Sequence, residues 1–129
     1  MILGVGIDIV DIERMERILA RRGERFVRRV FTPSEERYCS AARRPALHFA
    51  ARFAAKESLL KSLGRGLGAG GFREIEVVRE KGGRPAIRLS GKIRDVAVAA
   101  GVEVFHLSLS HTDTSAVAMV IAEGGGGES

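Results

Sequence analysis

The sequence has one cysteine, Cys39, and no tryptophan. A lone cysteine excludes an internal disulfide framework and any zinc cluster built on thiolates. A reducing, cytoplasmic setting is therefore expected. Aromatic residues make up 5% of the chain. Stacking single-stranded nucleic acid takes several rings on one face, so this scarcity counts against that class. No apolar run approaches the roughly 20 residues that span a bilayer, so no membrane partner is expected. The opening MILGVGIDIVDI is apolar but lacks a basic leader and contains Asp8, which makes it a poor signal peptide.

What is present describes an ordinary globular chain. Its 129 residues fit one domain. A domain of that size buries about two-thirds of its unfolded surface and needs neither metal nor disulfide to fold. Net charge is +5, with 21 Lys and Arg against 16 Asp and Glu. Such a balance favours acidic partners: nucleic acid, anionic lipid, phosphorylated metabolites or an acidic protein. Many arginines fall early, among them Arg14, Arg17, Arg21, Arg22, Arg25, Arg28 and Arg29.

The pattern of elements predicts an α+β fold. Residues 2–10, ILGVGIDIV, read as a buried strand, and Gly4 and Gly6 imply that something packs close to its backbone. Asp11 can cap a helix with Ile12, Met15, Ile18 and Leu19 on one face. Arg14, Arg17 and Arg21 share the opposite face. Gly23 is expected to end or break this helix, with a short helical turn after it. Thr32, Pro33 and Glu35 form a strong helix start with a capping box. Pro45 opens a long helix through Ser62, with Gly64 as its stop and a glycine-rich loop over 64–71. Residues 72–80 and 85–91 read as strands around the turn at 81–84. A short helix follows over 92–101. Residues 102–110 and 114–122 read as a final hairpin around His111, Thr112 and Asp113. The domain is expected to span 1–122, ahead of a disordered glycine-rich tail over 123–129. The two hairpins favour antiparallel pairing, so the expected architecture is a mainly antiparallel sheet against a long central helix.

Three places put polar groups where a core should be. Asp8 sits between Ile7 and Ile9 in the most apolar strand, and a buried carboxylate needs a cation, a metal or several N–H donors. It either caps or pairs locally, or it is a ligand. Glu57 and Lys61 lie four apart on one helical face in the order favoured for a surface ion pair. If Glu57 instead meets Asp8, two carboxylates from separate elements, together with phosphate oxygens, match the way magnesium is held. The third place is SLSHTD at 108–113. Ser110 and His111 point to opposite sides of a strand, which argues against a hydrolase triad. A polar turn or a phosphate-binding hairpin end remains. The glycine-rich loop lacks the ending of a P-loop. One reading of these features is a small basic nucleic-acid-binding module without enzymatic activity. It explains the charge but not two carboxylates in apolar surroundings, and no nucleic-acid motif supports it.

In combination and order, GIDIVDI (6–12), RFAAKES (52–58) with LLKSLGRGLG (59–68), GGRP (82–85) and SLSHTD (108–113) are specific. The set resembles the holo-acyl-carrier-protein synthases, the small bacterial type of 4'-phosphopantetheinyl transferase, over about residues 2 to 122. The resemblance implies that family's fold. It implies magnesium-dependent transfer of 4'-phosphopantetheine from coenzyme A to a serine of apo acyl carrier protein, releasing adenosine 3',5'-bisphosphate, a step of fatty acid biosynthesis. It makes Asp8 and Glu57 the Mg²⁺ carboxylates, with Glu57 and Lys61 catalytic. It places Arg52, Lys61, Pro85, Ser110 and His111 along coenzyme A. It also implies a homotrimer with sites between subunits, and partners that are coenzyme A and an acidic carrier protein rather than nucleic acid. Carrier proteins of that class suit the Arg14, Arg17 and Arg21 face. Asp11 stands where the family commonly has Glu, and Ser58 where it commonly has Ala; neither touches the implied metal ligands. The resemblance gives Lys56 no role.

Overall fold

The computed structural model describes residues 1–65 and 71–125. The core of the expected glycine-rich loop, 66–70, and the end of the expected tail, 126–129, lie outside the described residues. Strand β1 (Ile2–Asp11) leads into helix α1 (Ile12–Val30), then α2 (Pro33–Ala41) and α3 (Pro45–Ser62). A single 3-10 turn (Phe72–Glu74) precedes the hairpin β2 (Ile75–Arg79) and β3 (Pro85–Leu89). Helix α4 (Gly91–Ala99) and the hairpin β4 (Val102–His111) and β5 (Ser115–Gly124) complete the order. All pairings are antiparallel: β1-β5-β4 form one sheet and β2-β3 a second.

Helix α3 lies on the three-stranded sheet, and small residues allow it to come close. A Cβ on Gly4 would run into the Ser62 carbonyl oxygen, and one on Gly6 into that of Ser58. Ala50, Ala54 and Ala55 of the helix and Ala116, Ala118 and Ala122 of β5 are fully buried at this junction. Ser58 Oγ donates to the Ala118 carbonyl at 3.0 Å and Ser62 Oγ to the Leu59 carbonyl at 2.7 Å, so both hydroxyls buried there are satisfied. Glycine in strand β1 is thus a packing requirement, as the sequence implied.

The helix starts match expectation. Asp11 accepts from the Arg14 amide, and Thr32 and Glu35 exchange the two hydrogen bonds of a capping box. Gly23 does not break α1. The helix runs through it because Phe26, Val27 and Val30 continue the apolar stripe begun by Ile12 and Met15. Burying that stripe outweighs the roughly 1 kcal/mol cost of one helical glycine. Phe72 starts a 3-10 turn rather than a strand, because Gly71 at φ 80° turns the chain and the Glu74 amide closes back on its carbonyl. Strand β5 reaches Gly124, past the expected boundary at 122, because Glu123 and Gly124 still pair with Ile2 and with Val102 and Val104.

The outer face of the three-stranded sheet is unusual. Alternation sends Val5, Ile7 and Ile9 outward beside Val117, Met119 and Ile121. Ile7 is 55% and Ile9 65% exposed, and Leu3, Val5 and Met119 are exposed as well. Antiparallel sheets with one solvated face normally carry polar residues there. A contiguous apolar face of this kind marks an interaction surface.

Candidate active site

Strand alternation puts Gly4, Gly6, Asp8 and Val10 of β1 on the side of α3. Asp8 follows the two glycines where the helix presents Glu57. Asp8 Oδ1 accepts from Lys61 Nζ at 3.1 Å, and the Ile7 carbonyl accepts from the same ammonium at 3.0 Å. The expected surface pair between Glu57 and Lys61 is therefore replaced by a bridge from Lys61 to Asp8. Among the described residues, the buried Asp8 Oδ2 has no hydrogen-bond partner.

Glu57 is pushed up to about 8, first by burial, then by a hydrogen bond to Asp8 and by the Asp8 charge; Lys61 and Arg14 oppose this. Two carboxylates from different elements thus lie close enough to perturb one another, and one of their oxygens is orphaned. The chemistry of this donor pair fits magnesium, with the rest of its shell supplied by water and phosphate oxygens. No third His, Cys, Asp or Glu joins them among the described residues.

The raised Glu57 has a consequence for metal-free protein. Its proton is held more tightly folded than unfolded, so its contribution to stability is complete below the ordinary carboxylate range. That contribution is lost as pH rises toward about 8. Thermal melting in chelator from pH 4.5 to 8.5 is expected to show this loss in the native chain and a flatter profile in Glu57→Gln. Parallel profiles would contradict the burial of Glu57 beside Asp8.

A cleft of about 530 Å³ opens beside the pair, lined by Asp8, Asp11, Arg14, Ile18, Phe26, Phe53, Glu57 and Phe72 among others. It is polar at the carboxylates and apolar along Phe26, Phe53 and Phe72. A second cleft, about 420 Å³, continues along α1 and includes Arg14, Arg17 and Arg21. The three arginines are exposed, and Arg17 also meets Glu13 at 3.4 Å. The sequence-predicted partner face and the carboxylate pair therefore adjoin, with Arg14 common to both clefts.

The remaining expected site residues lie elsewhere in the chain. Arg52 precedes Glu57 by five positions, about 140° around the helix. Its guanidinium sits 4.3 Å from the Tyr38 ring centre, with Arg79 5.0 Å from the same ring. Tyr38 packs edge-on against His48. Burial, then the positive charges of Arg52, Arg79 and His111, hold the His48 imidazole below its ordinary range. Arg52 Nε is buried and has no partner among the described residues. This cluster is cationic and unsatisfied, as an anion site should be. Ser110 instead lies on the outer sheet face opposite Val117, whereas His111 points to the helix side. Pro85 lines a separate groove of about 370 Å³ with Arg84 and His106.

The expected site residues thus fall into two groups within one chain. Asp8 is on edge strand β1 and His111 on edge strand β4, with β5 between them. Two strand spacings, about 10 Å, separate those edges. Sequence reasoning missed Tyr38, His48 and Arg79, along with the Phe53 and Phe72 walls. His48 lies four positions before Arg52, a spacing that could have found it. Tyr38 and Arg79 come from other elements and left no local signal.

The model of the 4'-phosphopantetheinyl transferase superfamily matches residues 4–120. The chain is 48% identical over 125 residues to a holo-[acyl-carrier-protein] synthase of Syntrophus aciditrophicus, covering 96% of this chain and 98% of that one. Its structure is similar to that of the Neisseria meningitidis holo-[acyl-carrier-protein] synthase, with a TM-score of 0.87, 34% identity, and 95% and 99% of the two chains covered. It is also similar to the Helicobacter pylori holo-[acyl-carrier-protein] synthase in complex with coenzyme A, with a TM-score of 0.81, 30% identity, and coverage of 92% and 99%.

Proposed function

This chain belongs to the 4'-phosphopantetheinyl transferase superfamily, and from that premise we propose that it is the enzyme that moves 4'-phosphopantetheine from coenzyme A to a serine of apo acyl carrier protein, with release of adenosine 3',5'-bisphosphate. The observation that carries the residue assignment is the Asp8–Glu57 pair, with its orphaned oxygen, at the mouth of a half-apolar cleft. Asp8 and Glu57 would hold Mg²⁺, which when bound neutralises charge developing on the pyrophosphate. Lys61, already bonded to Asp8, extends a point charge to the same phosphates. Glu57, at the mouth of the cleft where the serine arrives, takes the serine proton directly or through a water. Catalysis is then mainly positioning and electrostatics. A nucleic-acid module gains nothing from this cleft, because two carboxylates at its mouth repel a phosphate backbone.

The Arg52, Tyr38, His48 and His111 cluster is suited to the phosphates at the nucleotide end of coenzyme A; Ser110, on the outer sheet face, and Pro85, in its separate groove, would reach the same substrate from other directions. The two halves of the site sit at opposite sheet edges in one chain. A homotrimer brings the β1 edge of one copy to the β4 edge of the next, and the exposed apolar sheet face supplies the contact. The setting is cytoplasmic, and no described helix is long and apolar enough to cross a membrane. The pathway is fatty acid biosynthesis.

The acidic carrier protein docks on Arg14, Arg17 and Arg21, beside the cleft where its serine must arrive. Arg14→Glu is expected to raise KM for carrier protein at least about tenfold, more at low salt, with coenzyme A affinity unchanged. An equal loss of coenzyme A affinity would count against this face. The activity itself is tested by incubating the protein with coenzyme A, magnesium and apo acyl carrier protein. Mass spectrometry should find a phosphopantetheine adduct that chelator abolishes; no adduct under any metal would refute the proposal.

A further inference from the structure

Lys56 stands beside Glu57, yet its side chain turns about 100° away from the cleft. It is fully buried. Its three N–H donors go to Glu35 Oε1 at 2.7 Å, the Phe72 carbonyl at 2.9 Å and the Ile75 carbonyl at 2.6 Å. Glu35 in turn accepts from the amides of Thr32 and Val77. Every donor of the ammonium and both oxygens of the carboxylate are matched. A buried pair of this kind is a poor route to stability, since an apolar pair of like volume often does as well. What it does supply is a fixed geometry for the two carbonyls that it grips.

Those carbonyls bracket the 3-10 turn that begins at Phe72. The Phe72 ring packs on Phe53 at 5.6 Å, and both rings line the cleft that holds Asp8 and Glu57. Lys56 reaches across from the central helix to the carbonyls at both ends of this turn. On the transferase reading, the phosphate at Asp8 and Glu57 continues into the pantetheine arm, whose first carbons carry two methyl groups. The cleft is polar at the carboxylates and apolar along Phe26, Phe53 and Phe72.

We infer that Lys56 is a positioning residue: by holding the Phe72 and Ile75 carbonyls it sets the Phe72 ring as the wall against which the pantetheine arm of coenzyme A lies. The inference rests on the transferase reading above. It explains a buried lysine next to a metal ligand without giving that lysine any chemical step.

Two ligands separate this from a general structural role. Adenosine 3',5'-bisphosphate shares the nucleotide end of coenzyme A but has no pantetheine arm. Calorimetry on the intact protein with magnesium would compare the native chain, Phe72→Leu, and the paired change Lys56→Met with Glu35→Gln. Each variant is expected to weaken coenzyme A binding about tenfold, the scale of a lost apolar wall, and to leave adenosine 3',5'-bisphosphate unchanged. In the Phe72→Leu background the paired change should weaken coenzyme A by less than about twofold more, because the two act through one ring. Equal weakening of both ligands, additive losses, or an unchanged coenzyme A affinity in Phe72→Leu would overturn the inference. If the paired change does not fold, Phe72→Leu decides, since it leaves the ion pair intact. If the native chain binds neither ligand, the transferase reading falls first and the inference with it.

Discussion

Asp8→Asn or Glu57→Gln is expected to lower kcat for phosphopantetheine transfer by about 100- to 1000-fold, the cost of losing one preorganised charge partner of a developing phosphoryl charge. The fold should survive either change. In metal-free protein the two carboxylates repel, with burial and Asp8 together pushing Glu57 up to about 8. A neutral amide in place of either acid relieves that repulsion, so melting temperature in chelator should hold or rise. Activity and stability then move in opposite directions, which a merely structural pair would not do. The melting effect of added magnesium should also vanish in both variants, because ligand stabilisation requires a site that binds. A variant that keeps full activity would remove the residue from the assignment.

Met119→Glu is expected to leave a folded monomer that has lost at least about 100-fold in transfer activity, the scale of misplacing one half of a divided site. Met119 lies at the middle of the outer sheet face, between Ile7 and Ser108 on the flanking strands. Its side chain is exposed in the single chain, so a carboxylate there meets water rather than the core. In the proposed trimer the same position would be covered, and a charge buried without a partner would oppose association by several kcal/mol. Sedimentation of the native chain and the variant, alongside their turnover, checks both halves of the expectation. An active monomer would show that one chain suffices.

The elements were legible where local chemistry agrees with tertiary packing. The capping box at Thr32 and Glu35, the alternation of β4 and β5, and the close helix implied by Gly4 and Gly6 all recur in the structure. Gly23 misled because its local preference was overridden by apolar residues on both sides of it. The carboxylate pair was half legible. Periodicity made Glu57 and Lys61 partners, and only the fold brings Asp8 between them. Lys56 was silent for the same reason: its three acceptors come from α2, the 3-10 turn and β2, far apart in sequence. The Tyr38, His48, Arg52 and Arg79 cluster likewise exists only after folding.

The divided site is tested most directly by mixing defects. Asp8→Asn removes the β1 half, and Arg52→Gln with His111→Ala removes the β4 half. Each protein alone should transfer phosphopantetheine at no more than about 1% of the native rate. Co-expressed, with mixed oligomers verified by native mass spectrometry, they should recover roughly a quarter of it, because that share of random interfaces pairs two intact halves. Mixed oligomers with no recovery above the two variants alone would contradict a site built between neighbouring copies.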